Sequence, residues 1–352
     1  MLTIIKAGVV LILLTPLVMG SFGINISEYP KAIYFRSLTE IVFILYLVLI
    51  AFKLKYIFKI SPLLIAVFIF IAVLTLASFT GINFQRSFFG DLRRAEGVIL
   101  QIHLLLFLLV CLGIFKEEND WLKLFKITLL VSGVSSILAV LQKLSLWQPF
   151  GYDFSGRPVG TFSNPDFFGP YLVLAIFLGL FILMQEKRQK FKIFWLLVLI
   201  LDVFALILTQ MRVAWIGLGA GFIFIFCWLA FNYKNYKTQI KKIIVIPIVI
   251  FVIFLIFTIS NNDFLNKLGK IFSWPTRLVA WDIAWNSFLQ RPILGWGPES
   301  FLFVYNKIFL SYTLLLHCIG HCILLNYFCI YALFCLYYAL CCTYRIVCIC
   351  FQ

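Results

Sequence analysis

Residues 156–184 read GRPVGTFSNPDFFGPYLVLAIFLGLFILM, a polar, proline-rich stretch that runs directly into an apolar one. An apolar run of about 20 residues can cross a bilayer as an α-helix, because a helix satisfies its own backbone hydrogen bonds in lipid. The prolines of the polar half prevent a continuous helix, and its glycines permit tight turns. The stretch therefore predicts a membrane helix that is entered from a shaped loop.

Similar long apolar runs occur along the rest of the chain. The 352 residues are 63% hydrophobic and only 12% charged, whereas soluble domains are about half apolar. We predict an all-α polytopic membrane protein with about ten transmembrane helices, a single integral membrane domain over residues 1–352. The first segment is interpreted as a retained helix rather than a cleaved signal peptide. The ten apolar segments are 2–20, 35–52, 61–80, 97–115, 124–141, 168–184, 193–209, 213–231, 243–259 and 313–342.

The basic residues predict which loops face the cytoplasm. The net charge of +15 is spread over short clusters between apolar runs, which indicates membrane orientation rather than nucleic-acid binding. Four short loops hold 14 Lys and Arg residues among 38 residues. The loops that alternate with these four along the chain hold 13 Lys and Arg residues among 115. By the positive-inside rule the dense loops and the N-terminus are cytoplasmic. Loop 142–167 and the large loop 260–312, between helices nine and ten, are then predicted to lie outside.

Arginine and lysine are also sorted between the two sides. Loops predicted outside hold eight Arg and five Lys, whereas the predicted cytoplasmic side holds 14 Lys and one Arg, Arg188. A guanidinium presents a planar fork that suits bidentate phosphate recognition, so the sorting favours an outer site for a phosphate-bearing ligand. Chance, together with arginines that snorkel at helix ends, is the alternative.

The polar half of the opening stretch has features of a binding loop. Asn164-Pro165 is a turn former that leads into the sixth helix, and Arg157 lies beside the N-terminus of that helix, where an anion is favoured. An ordinary re-entrant turn is the alternative interpretation.

Five stretches, in order, resemble motifs of the O-antigen ligase/polymerase family of bacterial membrane glycan transferases. The central one is Arg157 followed by Gly-Thr-Phe and Asn-Pro before an apolar helix. The resemblance extends to about residue 305. The other four stretches are FRSLTEIVF (35–43), SFFGDLRRAEGVI (87–99), LTQMRVAWIGL (208–218) and RLVAWDIAWNSFLQRPILGWGPESF (277–301).

The resemblance implies transfer of a glycan from a polyprenyl diphosphate carrier to a glycan or lipid-linked acceptor. It places the reaction on the outer face of the bacterial cytoplasmic membrane, with the lipid bilayer as surroundings. We predict no cofactor. Arginines of the family bind the diphosphate, and these match Arg94, Arg157, Arg212 and Arg277 here; Asn164 belongs to the same central motif.

The resemblance also implies a catalytic histidine in the large outer loop. Family members have an Asn directly after this His, whereas here Cys322 follows His321, and His317 is a competitor one turn away. We expect His321 to be catalytic, as a general base, together with Arg157 and Arg212.

The C-terminal end differs from the family pattern. Eight of the ten Cys follow residue 316, and the chain ends soon after the tenth segment, so a truncated, inactive relative is one alternative. The stretch HCIGHC (317–322) crowds two His and two Cys into one helix, where they cannot easily surround one ion. We predict no metal.

Three further features have structural interpretations. Leu278, Trp281, Trp285 and Phe288 share a helical face, which predicts an interfacial helix on the outer leaflet or packing under the loop. Asp202 is interpreted as a structural polar partner inside the membrane. Glu40 follows Arg36 by four residues, the spacing of a helical ion pair at a helix end.

A lipid-linked glycan flippase or other transporter is the alternative from a different class. Transporters place polar sites at the midplane of broken, repeated helices, whereas this chain concentrates its polar groups in the loops predicted outside. The chain also lacks the motifs of nucleotide-sugar enzymes, which agrees with a lipid-linked donor.

Overall fold

The computed structural model describes residues 1–20, 28–91, 94–149, 153–231 and 275–312. These residues form α-helices, two short 3-10 turns at Thr15–Leu17 and Leu54–Tyr56, and no strand. The helices are α1 (Leu2–Leu13), α2 (Glu28–Phe52), α3 (Pro62–Thr80), α4 (Phe84–Phe89), α5 (Val98–Ile114), α6 (Glu118–Lys143), α7 (Pro165–Gln185), α8 (Gln189–Thr209), α9 (Arg212–Phe231), α10 (Pro275–Gln290) and α11 (Phe301–Tyr312).

The helices confirm the all-α membrane class over the described residues. By length and composition α2, α3, α6, α7 and α8 can cross a membrane, and α1, α5 and Arg212–Ile225 of α9 are shorter apolar helices. Several helices of this length and composition indicate a multi-pass membrane protein. The predicted segments 243–259 and 313–342 lie outside the described residues, so the count of ten helices stays a prediction.

Two helix boundaries differ from the predicted ones. The first segment ends as an α-helix at Leu13 rather than at residue 20, because Pro16 lacks the N–H that a continuing helix needs. The second helix begins at Glu28, seven residues before the predicted start at residue 35. Pro30 is tolerated there because N–H groups in the first turn have no partner within the helix. Glu40 consequently lies in the middle of α2 instead of near its end.

The described residues belong to two compact units. The first unit comprises Met1–Gln210 and Ile283–Gln352, and the second comprises Met211–Asp282. The structure describes α9 and the start of α10 in the second unit. The single integral membrane domain predicted for residues 1–352 stays a prediction.

The first unit is held together by close packing of apolar helices. One cluster of buried side chains comes mainly from α1, α2 and α5 and includes Val9, Tyr46 and Val110. Helices α6, α7 and α8 pack against one another at short range. A Cβ atom at Gly133 of α6 would lie 2.9 Å from Val198 of α8, so the absence of a side chain allows this approach.

A buried carboxylate links two of these helices. Asp202 of α8 is fully buried and accepts hydrogen bonds from Ser132 at 2.6 Å and from Ser136 at 2.7 Å, both on α6. The predicted role of Asp202 as a structural polar partner is confirmed, since both carboxylate oxygens bond to the neighbouring helix.

Ion pairs connect the ends of helices that border the predicted cytoplasmic loops. Lys6 of α1 lies 2.7 Å from Asp120 of α6, and Lys126 of α6 lies 2.6 Å from Glu186, the residue after α7. The loop with the central family-like motif precedes α7, and the stretch 208–218 begins at the end of α8.

Candidate functional site

A buried glutamine of α6 makes three hydrogen bonds to the loop that precedes α7. The Gln142 side chain donates to the carbonyl oxygen of Gly160 at 2.7 Å and accepts from the N–H groups of Val159 and Gly160 at 2.9 and 2.8 Å. Gly160 has φ +60, and a Cβ there would lie 2.7 Å from the carbonyl oxygen of Ser135. The motif therefore needs glycine at this position. The sequence did not single out Gln142, because a glutamine at a helix end has no distinctive signature.

Asn164 caps the N-terminus of α7. Its side-chain oxygen accepts the N–H of Asp166 at 2.9 Å, and Pro165 occupies the first helical position. The predicted turn into the sixth helix is confirmed. The hydrogen bond gives Asn164 a structural role, and binding of substrate by Asn164 stays a prediction.

Arg157 lies between the start of α7 and the end of α8. Its Nε donates to the carbonyl oxygen of Thr209 at 3.1 Å, and its Nη2 lies 3.8 Å from the carboxylate of Asp166. The side chain remains 47% exposed. An anion can still approach a guanidinium that is partly exposed.

Arg94 approaches the same turn of α7 from a different loop. Its guanidinium carbon lies 5.3 Å from the ring centre of Phe167, the residue after Asp166. Two of the predicted diphosphate-binding arginines, Arg94 and Arg157, are therefore brought to adjacent residues in the first turn of one helix. The N-terminus of a helix adds further positive potential for an anion.

The carboxylates of three residues that the sequence did not single out interact electrostatically with Arg94. They are Glu28, Glu96 and Glu299. Burial, and secondarily the charge of Glu299, raises the pKa of Glu96 to about 8, while Arg94 acts in the opposite direction. Burial likewise raises the pKa of Glu299, and the charge of Glu28 acts on Glu96 as well. Glu96 is therefore largely protonated at neutral pH.

The loop that carries Arg94 is joined to the segment after α10. The N–H of Ile82 donates to the carbonyl oxygen of Trp296 at 3.1 Å, and Ser87 donates to that of Pro298 at 2.7 Å. Arg86 Nε donates to the carbonyl oxygen of Glu299 at 3.1 Å. The stretches 87–99 and 277–301, which resemble separate family motifs, thus meet although about 200 residues separate them.

The start of α2 joins the remaining loops of the first unit. Arg36 Nη2 donates to the carbonyl oxygen of Ala95, and Ser163 donates to the carboxylate of Glu28. Lys31 donates to the carbonyl oxygens of Val18 at 2.8 Å and Thr161 at 2.6 Å. The contacts of α2, loop 80–97, loop 156–167 and segment 291–300 define what we name the arginine site of the first unit.

The other predicted site residues lie elsewhere. Arg212 is the first residue of α9 in the second unit, and Arg277 is in the first turn of α10 in the same unit. The predicted catalytic His321 and its competitor His317 lie outside the described residues, as does the HCIGHC stretch. Within the described ranges no group of three or more His, Cys, Asp or Glu side chains could hold a metal.

The predicted apolar face of α10 is exposed. Leu278, Trp281, Trp285 and Phe288 are 57, 60, 61 and 48% exposed. Exposed tryptophans on one helical face favour contact with the membrane interface over packing beneath the loop.

Comparison with known families bears on the second half of the chain. Residues 197–317 match the family model of the O-antigen ligases. The family resemblance predicted from the sequence is confirmed in this region, which contains Arg212, Arg277 and the stretches 208–218 and 277–301. The match ends at His317, four residues before His321. No curated protein and no solved structure matches the chain.

Proposed function

We propose that this protein transfers or polymerises a polyprenyl-diphosphate-linked glycan onto a glycan or lipid-linked acceptor. The observation that carries the proposal is the O-antigen ligase match over residues 197–317. The arginine site of the first unit supports it, because Arg94 and Arg157 converge on the first turn of α7. The reaction takes place on the outer face of the bacterial cytoplasmic membrane, where lipid-linked glycans are exposed.

The chemistry is a displacement at the anomeric carbon of the donor sugar. The hydroxyl oxygen of the acceptor forms a bond to this carbon, and the bond between the carbon and the diphosphate oxygen breaks. The electron pair of that bond leaves with the diphosphate, so negative charge develops there in the transition state. Arg94 and Arg157 of the first unit stabilise this charge, and the family resemblance assigns the same role to Arg212 and Arg277. His321 accepts the proton of the attacking hydroxyl.

The arrangement of polar groups favours a transferase over a flippase. In the first unit the motif arginines lie in loops and at helix ends, and the buried Asp202 uses both carboxylate oxygens to bond to serines. A transporter is expected to present an open polar site near the membrane midplane instead.

The decisive experiment is transfer by the purified full chain in lipid nanodiscs. A synthetic polyprenyl-diphosphate glycan and an acceptor are supplied, and release of polyprenyl diphosphate and formation of the product are measured. We expect transfer by the unmodified chain, loss of transfer for His321→Ala and a milder effect for His317→Ala. Complementation of a deletion strain that lacks its surface glycan is the cellular counterpart.

Two outcomes would change the proposal. Normal transfer by His321→Ala would place the base elsewhere while the transferase function stands. Movement of the lipid-linked glycan between leaflets without formation of a product would instead establish a flippase.

A further inference from the structure

Glu40 and His103 form a contact between two apolar helices beneath the arginine site. His103 Nε2 of α5 lies 2.8 Å from Glu40 Oε1 of α2. The His103 side chain is 8% exposed, whereas that of Glu40 is 60% exposed. A lone carboxylate in such surroundings is costly unless a cation or a proton compensates its charge.

The surroundings of the second ring nitrogen of His103, Nδ1, indicate how many protons the His103–Glu40 pair carries. Nδ1 lies 2.6 Å from the carbonyl oxygen of Ile99, which can only accept, so Nδ1 carries a proton. A neutral imidazole with this proton leaves Nε2 as a bare acceptor that faces a carboxylate oxygen, and two acceptors repel at that distance. One further proton must therefore lie between Nε2 and Oε1. The pair as a whole is then electrically neutral.

The neighbouring Arg36 decides on which side this proton lies. Arg36 precedes Glu40 by one turn of α2, and the two side chains attract each other electrostatically. A cation beside Glu40 favours its ionised form, so the proton belongs to His103.

Arg36 in turn holds the loop that carries Arg94. Its Nη2 donates to the carbonyl oxygen of Ala95, and Ala95 has φ +55, a left-handed conformation that a side chain adopts at a cost. Arg36 Nε is buried and finds no hydrogen-bond acceptor within the described part of the chain. The orientation of Arg36 thus depends on its bond to Ala95 and on its electrostatic interactions with Tyr29 and Glu40.

We propose that His103, protonated on both nitrogens, and ionised Glu40 form a pair that positions Arg36 and, through Ala95, the turn of Arg94. Glu40 and His103 are positioning residues, since neither contacts the substrate. Their effect on the reaction rests on the proposed function, in which Arg94 binds the diphosphate of the donor.

The protonation of His103 is tested without any activity. The chain has three His, so the double variant His317→Gln/His321→Gln retains His103 alone. The nitrogen resonances of labelled histidine are recorded by NMR for this variant in lipid nanodiscs at neutral pH. We expect a doubly protonated imidazole whose Nε2 signal changes when Glu40→Gln is added. A neutral imidazole, in either tautomer, would overturn the proposal.

The positioning role is tested by Glu40→Gln in the otherwise unmodified chain. A glutamine amide can still donate to Nε2, so the helix contact is retained while the charge beside Arg36 is lost. We expect wild-type abundance and melting temperature, a KM for the lipid-linked donor raised about tenfold, and a smaller change in kcat. Ile41→Ala, at an exposed neighbouring position, is the control and should leave KM unchanged.

A double variant separates positioning from general damage. If Glu40 acts through Arg94, then Glu40→Gln should raise the donor KM much less in an Arg94→Lys background than in the wild type. A wild-type KM for Glu40→Gln, or fully multiplicative effects in the double variant, would refute the positioning role. Absence of transfer by the unmodified chain would count against the proposed function, whereas the NMR result decides the protonated pair independently.

Discussion

Arg157 donates a hydrogen bond from Nε to the backbone carbonyl oxygen of Thr209 at 3.1 Å. The bond joins the loop before α7 to the last residue of α8, 52 residues further along the chain. Thr209 and Arg212 both belong to the stretch 208–218, so the contact connects two stretches that resemble family motifs. It uses one nitrogen of the guanidinium and leaves the side chain partly exposed.

The proposed binding of diphosphate predicts that lysine cannot replace these arginines. Arg157→Lys and Arg212→Lys keep the positive charge but lose the planar fork, so each should reduce transfer about tenfold or more at unchanged membrane abundance. Surface glycan and protein abundance are measured together in a complemented deletion strain. Arg188→Lys, in a loop predicted to be cytoplasmic, is the matched control. Wild-type glycan in both variants would refute the role assigned to the two arginines.

The raised pKa of Glu96 predicts that diphosphate binding depends on pH. Because this pKa is about 8, alkaline pH ionises Glu96 and places a negative charge beside Arg94. Binding of the lipid-linked donor should weaken as the pH rises through about 8, and Glu96→Gln should reduce this dependence. Isothermal titration between pH 6 and 9 measures it. Asp153→Asn, at an exposed loop position, should behave as the wild type.

The raised pKa of Glu96 also predicts how the stability of the fold changes with pH. The folded pKa of Glu96 lies above the ordinary value of 4.5, so the fold favours the neutral form. This contribution is fully present below pH 4.5 and is lost as the pH rises through about 8. Glu96→Gln should therefore raise the melting temperature relative to the wild type above pH 8 and leave it unchanged in acid. An equal gain at all pH values would mean that ionisation of Glu96 is not the cause.

The close backbone packing of the turn that carries Arg94 predicts that Gly97 cannot be replaced by a larger residue. A Cβ at Gly97 would lie 2.3 Å from the backbone nitrogen of Gly90 and 2.4 Å from the carbonyl oxygen of Phe88. Gly97→Ala should displace this turn and reduce both abundance and transfer. Gly156→Ala, where a Cβ meets nothing within 4 Å, is the control in the neighbouring loop. Equal behaviour of the two variants in an expression and transfer assay would contradict the close approach.

The bonds of Asp202 predict a variant that affects stability but not transfer. Asp202→Ala removes two hydrogen bonds between α6 and α8, which should cost about 1 kcal/mol, as such bonds in membranes contribute about 0.6 kcal/mol each. Thermal unfolding in nanodiscs should show a lower midpoint, and transfer per folded molecule should be unchanged. Ile200→Ala, at an exposed position of the same helix, is the control. A stable but inactive Asp202→Ala would assign this residue a part in the reaction.

Local patterns in the sequence were sufficient for the fold class and for several elements of the site. Long apolar runs predict membrane helices because a backbone in lipid must satisfy its own hydrogen bonds. Asn164-Pro165 predicts the start of α7 because a cap and a proline act within one turn. Motif order indicated a resemblance to the O-antigen ligases, and the family-model match confirms this resemblance over residues 197–317.

The tertiary structure alone decided which distant residues meet. The spacing of Arg36 and Glu40 indicates a pair within one helix, yet the Glu40 carboxylate bonds to His103 of α5 and Arg36 bonds to Ala95. Gln142 anchors loop 156–167, and Ser87 meets Pro298 across more than 200 residues, without any local signature. The physical reason is that these contacts, like the burial that raises the pKa of Glu96, arise only when helices pack. Helix packing depends on the shapes of whole faces rather than on the spacing of a few residues.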